Sequence, residues 1–139
     1  MSIYSIPSKT FICGEYGVLY GGNAVLMATN PSFILDEKSV IHDPYNGGGG
    51  FGLSGAKFIA SQAKDGDFSG VIEKFKNLHN GQSGSDVICQ IFGKITIIES
   101  GKYFSLDWPF DEYEILIFKN SSKINTMSIW KTCPQLTSN

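Results

Sequence analysis

The spacing of apolar residues changes along the chain, dividing it into strand-like and helix-like stretches. Short apolar runs cover Lys9 to Cys13, Ala24 to Thr29 and Ser32 to Leu35, with Gly21, Gly22 and Asn23 supplying a turn after the first. The opening part of the chain therefore predicts β-strands. Beyond the glycine run Gly47 to Gly50 the period becomes helical. In SGAKFIASQAK, Phe58, Ile59 and Ala63 fall at helical spacing, and Ser54 is placed to cap the first turn. FSGVIEKFKNLH repeats apolar residues at Phe68, Val71, Ile72, Phe75 and Leu78, which predicts a second, amphipathic helix. SDVICQIFG predicts a third, with Val87, Ile88, Ile91 and Phe92 on its apolar face, Asp86 in its first turn and Gly93 just past its end. KITIIES and KYFSLD return to strand character on either side of Ser100-Gly101, a hairpin signature, and YEILIFK predicts a further buried strand. SSKINTMSIW has the character of a helix start, after which KTCPQLTSN reads as a cut-off end. The expected fold class is α+β with mostly antiparallel pairing.

Composition narrows the function classes. The 139 residues suit one domain, and 42% apolar with 17% charged residues is an ordinary globular mixture. The net charge is −2 and the lysines are scattered, so the basic footprint of a nucleic-acid binder is missing. No basic segment leads into a long apolar run, and no apolar stretch approaches the ~20 residues that span a bilayer. A cytoplasmic protein without nucleic-acid or membrane partners is expected. Cys13, Cys89 and Cys133 form no CxxC pair and lie far from His42 and His79, which argues against a disulfide framework or a zinc site. All three are expected to be buried, small and hydrophobic in behaviour.

Three segments carry candidate chemistry. In IPSKTFICGEYGVLYGGNAVLMATN, Pro7 and Lys9 precede Gly14-Glu15, and Tyr20, Gly21 and Ala24 follow. Alone, Lys9 reads as a solvated strand-end lysine and Glu15 as a surface turn residue; the downstream segments reverse that preference. In GGGGFGLSGAKF, glycines ahead of a helix let the backbone approach a polyphosphate, and helix N-terminal amides attract its charge. A Walker loop would need Gly-Lys followed by Ser or Thr, and Gly55-Ala56-Lys57-Phe58 lacks it. In GQSGSDVICQIFG, Ser83, Gly84 and Asp86 open the third helix. A carboxylate beside an ammonium can accept a hydroxyl proton and steady developing charge.

Together these segments resemble the motifs of GHMP small-molecule kinases, in particular mevalonate and phosphomevalonate kinases. The first is similar to their PxK, GEx and VxYGxxA opening. The second is similar to their GLGSSGA phosphate loop, matching at Gly50, Gly52, Ser54, Gly55 and Ala56, with Leu53 where the family carries serine. The third is similar to their SGxD stretch. The resemblance implies a ribosomal-protein-like two-layer N-terminal domain of the family over residues 1–139, shortened and without the second domain. It implies ATP with Mg2+ on the Gly50 to Ala56 loop, Lys9 and Asp86 as the catalytic pair, and Lys9, Glu15 and Ser83 against a small-molecule substrate. A weaker likeness over Trp108 to Thr126 adds Lys123 as a substrate contact. The family's acidic magnesium ligand has no clear counterpart, Glu73 being the only glutamate between the second motif and Asp86, so the metal ligand stays unassigned. The expected activity is phosphoryl transfer from ATP to a mevalonate-type alcohol or phosphomevalonate. The alternative is a non-catalytic, truncated relative that binds nucleotide or a partner. Loss of the second domain would expose apolar surface, so self-association is expected.

Overall fold

The computed structural model describes residues 4–38, 40–63, 67–79, 82–110 and 112–118. Its sheet is built on a long antiparallel pair, β1 (Tyr4–Cys13) and β2 (Ala24–Leu35), joined through a 3-10 turn at Gly17–Tyr20. The sequence pattern splits β2 at Asn30-Pro31, because proline cannot donate to a ladder. The chain nevertheless runs on as one strand, because the proline falls at a bulge. Pairing steps from Ile6 opposite Phe33 to Ser8 opposite Thr29, and the Ser8 hydroxyl donates to the Pro31 carbonyl at 2.6 Å.

A two-residue strand that the pattern does not mark, β3 (Ile41–His42), pairs with the end of β2. The predicted hairpin forms as β4 (Ile95–Glu99) and β5 (Lys102–Leu106). Ser100 and Gly101 both take positive φ, 50° and 76°, as a tight two-residue hairpin turn requires. Among the described residues the strand order is β1-β2-β4-β5, with β3 also beside β2 and every pairing antiparallel.

Helices α1 (Leu53–Gln62), α2 (Val71–Leu78) and α3 (Ser85–Phe92) match the three predicted ones, with one correction at an end. Gly52, at φ 94°, occupies the N-cap of α1, so Ser54 lies inside the first turn and does not cap it. Helix α3 and the sheet share a cluster of Val18, Ala24, Leu26, Cys89 and Ile98, while Ile6, Phe33, Ala56, Ile59, Val71 and Val87 join all three helices to the strands. Burying each large side chain here stabilises the fold by roughly 1.5–3 kcal/mol. The chain is therefore α+β, an antiparallel sheet with helices packed on one face.

Strand alternation turns Val25, Met27, Ile97, Phe104 and Leu106 to the opposite face, where Phe104 and Leu106 are exposed. The described part of YEILIFK, residues 113–118, does not form the buried strand its composition predicts. Among the described residues it pairs with no strand, and Leu116 and Phe118 are 76% and 87% exposed. A continuous apolar run specifies an apolar neighbour and no particular backbone state. Here Tyr113 and Ile115 to Ile117 border a hollow of about 510 Å³ with Met27, Thr29 and Trp108. The cysteines also divide. Cys89 is buried and its thiol is pushed up to about 11 by burial, whereas Cys13 is exposed near the end of an edge strand, contrary to expectation. Cys133 lies outside the described residues. Among the described residues no helix is long and apolar enough to cross a membrane.

Candidate functional site

Strand β1 and the N-termini of α1 and α3 meet at a cleft of about 980 Å³. Alternation along β1 sends Lys9 inward under α3, where its side chain is only 8% exposed. An ammonium so far out of water needs a counter-charge. Asp86, in the first turn of α3, supplies it: Lys9 Nζ lies 2.7 Å from Asp86 Oδ1. The Phe11 ring lies under the same ammonium, 4.6 Å from its centroid. Asp86 itself is 35% exposed, so its carboxylate reaches both Lys9 and the cleft.

The glycine loop is shaped from behind by aromatic residues. Tyr45 stacks on Phe51 at 4.2 Å between centroids, and Asp43 accepts hydrogen bonds from the amides of Tyr45 and Gly47. At the end of the loop the Lys9 amide donates to the Phe51 carbonyl at 3.0 Å, which ties loop to strand. Both α1 and α3 start behind a glycine, which has no side chain to cap them. The dipole and first amides of α1 are therefore not engaged by a capping side chain, whereas at α3 the Ser85 amide is held by Ser83 Oγ.

The predicted site residues do not all share this surface. Lys9, Glu15, Ser54, Gly55, Ser83 and Asp86 line the cleft, Glu15 and Ser54 exposed and Ser83 half-buried. Ser83 Oγ accepts from the Ser85 amide and sits 2.8 Å from Ser85 Oγ. Gly52 is buried behind the loop, and Ala56 packs into the core. Gly50 stands in open space away from the lining. Lys123 lies outside the described residues, and Glu73 is exposed on α2 and outside the lining.

Sequence reasoning missed two parts of the site. One is an apolar wall of Phe58, Phe75 and His79, with the Phe75 and His79 rings stacked 4.4 Å apart. Its signal was present, since Phe75 and His79 stand one helical turn apart, but it read only as a core-facing stripe. The other is Gln90, whose buried amide bonds to β1 and to the loop. A glutamine inside an apolar helix face is the one available hint. Chemically, the cleft combines an ammonium, a partly solvated carboxylate, a second cation at Lys57 and uncapped helix amides, a set suited to an anionic ligand with a hydroxyl to deprotonate. Compared with family models, curated proteins and solved structures, the chain matches none.

Proposed function

We propose that the cleft binds the polyphosphate of ATP against the end of the glycine loop at Ser54 and Gly55 and transfers its γ-phosphoryl group to a small alcohol, as in GHMP kinases of the mevalonate and phosphomevalonate type. The observation that carries this reading is the 2.7 Å contact between Lys9 and Asp86 beside the uncapped start of α1. Asp86 takes the acceptor's hydroxyl proton while Lys9 steadies the charge that develops.

The residues fit a magnesium ion brought by the nucleotide better than a resident one. The carboxylates lining the cleft are Glu15 and the Lys9-bound Asp86, and among the described residues no three His, Cys, Asp or Glu are grouped to hold a metal. Magnesium arriving with the nucleotide would neutralise phosphate charge, and Ser54 is the exposed hydroxyl residue of the loop that could contact it.

Leu53 favours the second reading, a non-catalytic nucleotide- or partner-binding relative. Its side chain packs against the core cluster, so the first position of α1 offers no hydroxyl to phosphate or metal. Incubation with MgATP and mevalonate or phosphomevalonate separates the two. Transfer that collapses in Asp86→Asn supports the kinase; full transfer in Asp86→Asn refutes Asp86 as base, and nucleotide binding without any transfer supports the non-catalytic reading. The exposed apolar sheet face at Phe104 and Leu106 is the surface through which two copies would associate.

A further inference from the structure

We infer that Gln90 is a positioning residue, a buried amide that locks the glycine loop to the Lys9 strand and so fixes the spacing between the loop and the Lys9–Asp86 pair. Its functional consequence rests on the nucleotide-binding reading above; its geometry does not.

Gln90 follows Asp86 by one helical turn, so both project from the same face of α3. The side chain is 3% exposed. Both hydrogens of Nε2 are used, one toward the Pro7 carbonyl at 2.9 Å and one toward the Gly52 carbonyl at 3.1 Å. Two carbonyl acceptors require the nitrogen there, which settles the orientation of the amide. Pro7 stands two residues before Lys9, at the bulge where the β1–β2 register steps. Gly52 is the N-cap of α1, and its carbonyl also accepts the Ala56 amide. One side chain thus joins the strand that carries Lys9 to the residue that starts the phosphate-loop helix, from the helix that carries Asp86.

The glycines around the loop fit this amide. A Cβ on Gly52 would lie 2.9 Å from Gln90 Nε2 and 3.0 Å from Lys9 Cγ, and a Cβ on Gly55 would collide with Gln90 Oε1. That oxygen is buried without a hydrogen-bond partner. An unpaired buried acceptor is costly, and a leucine would fill the same space without it. The retained amide is therefore explained by the two carbonyls it holds.

The test compares Gln90→Leu with Gln90→Glu. Leucine keeps the volume and removes both donors. Ionised glutamate also lacks donors and sets its charge against two carbonyl oxygens, but its protonated form regains one donor, and burial favours protonation. At pH 8 both variants should bind MgATP roughly tenfold or more weakly than wild type. Amide exchange at Lys9 should accelerate by a similar factor relative to the β4–β5 hairpin. As the pH falls toward 5.5, Gln90→Glu should recover relative to Gln90→Leu in both measurements. Identical behaviour of the two variants across pH, or no selective acceleration at Lys9, would overturn the inference. If wild type binds no MgATP, the nucleotide reading fails while the exchange measurement still decides the tether. Should neither variant fold, Gly55→Ala displaces the amide without removing it. Faster exchange at Lys9 is then expected, and unchanged exchange there contradicts the tether.

Discussion

Replacing Asp86 with asparagine keeps the side chain's size and removes its charge, and the cost falls on Lys9. The ammonium is 8% exposed, with Asp86 Oδ1 at 2.7 Å and the Phe11 ring as its other close neighbour. Breaking a fully buried ion pair from one side costs about 3–5 kcal/mol, because a bare charge is left behind. Here Asp86 is 35% exposed, so water reaches one side of the pair, and the ring retains about 0.5–1 kcal/mol of attraction for the cation. Scaling for both gives about 1.5–2 kcal/mol for Asp86→Asn. Lys9→Met keeps the apolar stem and leaves only a carboxylate that already touches solvent, a loss of about 0.5–1 kcal/mol. The asymmetry is the signature: the partner with more water is the costlier one to remove. In the double variant no charge is stranded, so it should be about as stable as Lys9→Met alone. Urea denaturation of the four proteins at pH 7 measures these differences. A larger loss for Lys9→Met than for Asp86→Asn, or strictly additive losses, would refute the reasoning.

Two further outcomes follow from burial. At pH 8 a thiol reagent should label Cys13 rapidly and Cys89 only on unfolding, since raising the thiol from 9.0 to about 11 leaves roughly a hundredfold less thiolate. Folding raises this pKa, so the associated stability is intact below pH 9 and lost as the pH climbs toward 11; Cys89→Ala should lack that alkaline component in pH-dependent melting. Sedimentation at high concentration should show wild type self-associating and Phe104→Lys/Leu106→Lys monomeric. A strictly monomeric wild type would count against the exposed sheet face as an interface.

Much of the local structure was legible because one period dominates each segment. Phe68, Val71, Ile72 and Phe75 announce α2, and Ser100-Gly101 between two β-rich runs announces the hairpin. The errors arise where local chemistry has two outcomes. Asn30-Pro31 reads as a break until a bulge accommodates the missing donor, and Ser54 reads as a cap until Gly52 takes that position. YEILIFK is apolar enough for a strand, yet nothing in the run specifies a ladder partner. In the site, the motif resemblance singled out Lys9 and Asp86 and the structure sets them in contact. It could not reveal that Ala56 faces the core or that Gly50 stands away from the cleft. Nor could it reveal Gln90, whose partners are backbone carbonyls on two distant segments and leave no residue-type signature.

The central claim is that the cleft beside Lys9, Asp86 and the start of α1 accepts a nucleotide polyphosphate. Calorimetric titration of the folded chain with MgATP tests it directly. The account predicts saturable binding in the micromolar to millimolar range, and the absence of binding heat at millimolar MgATP would contradict it.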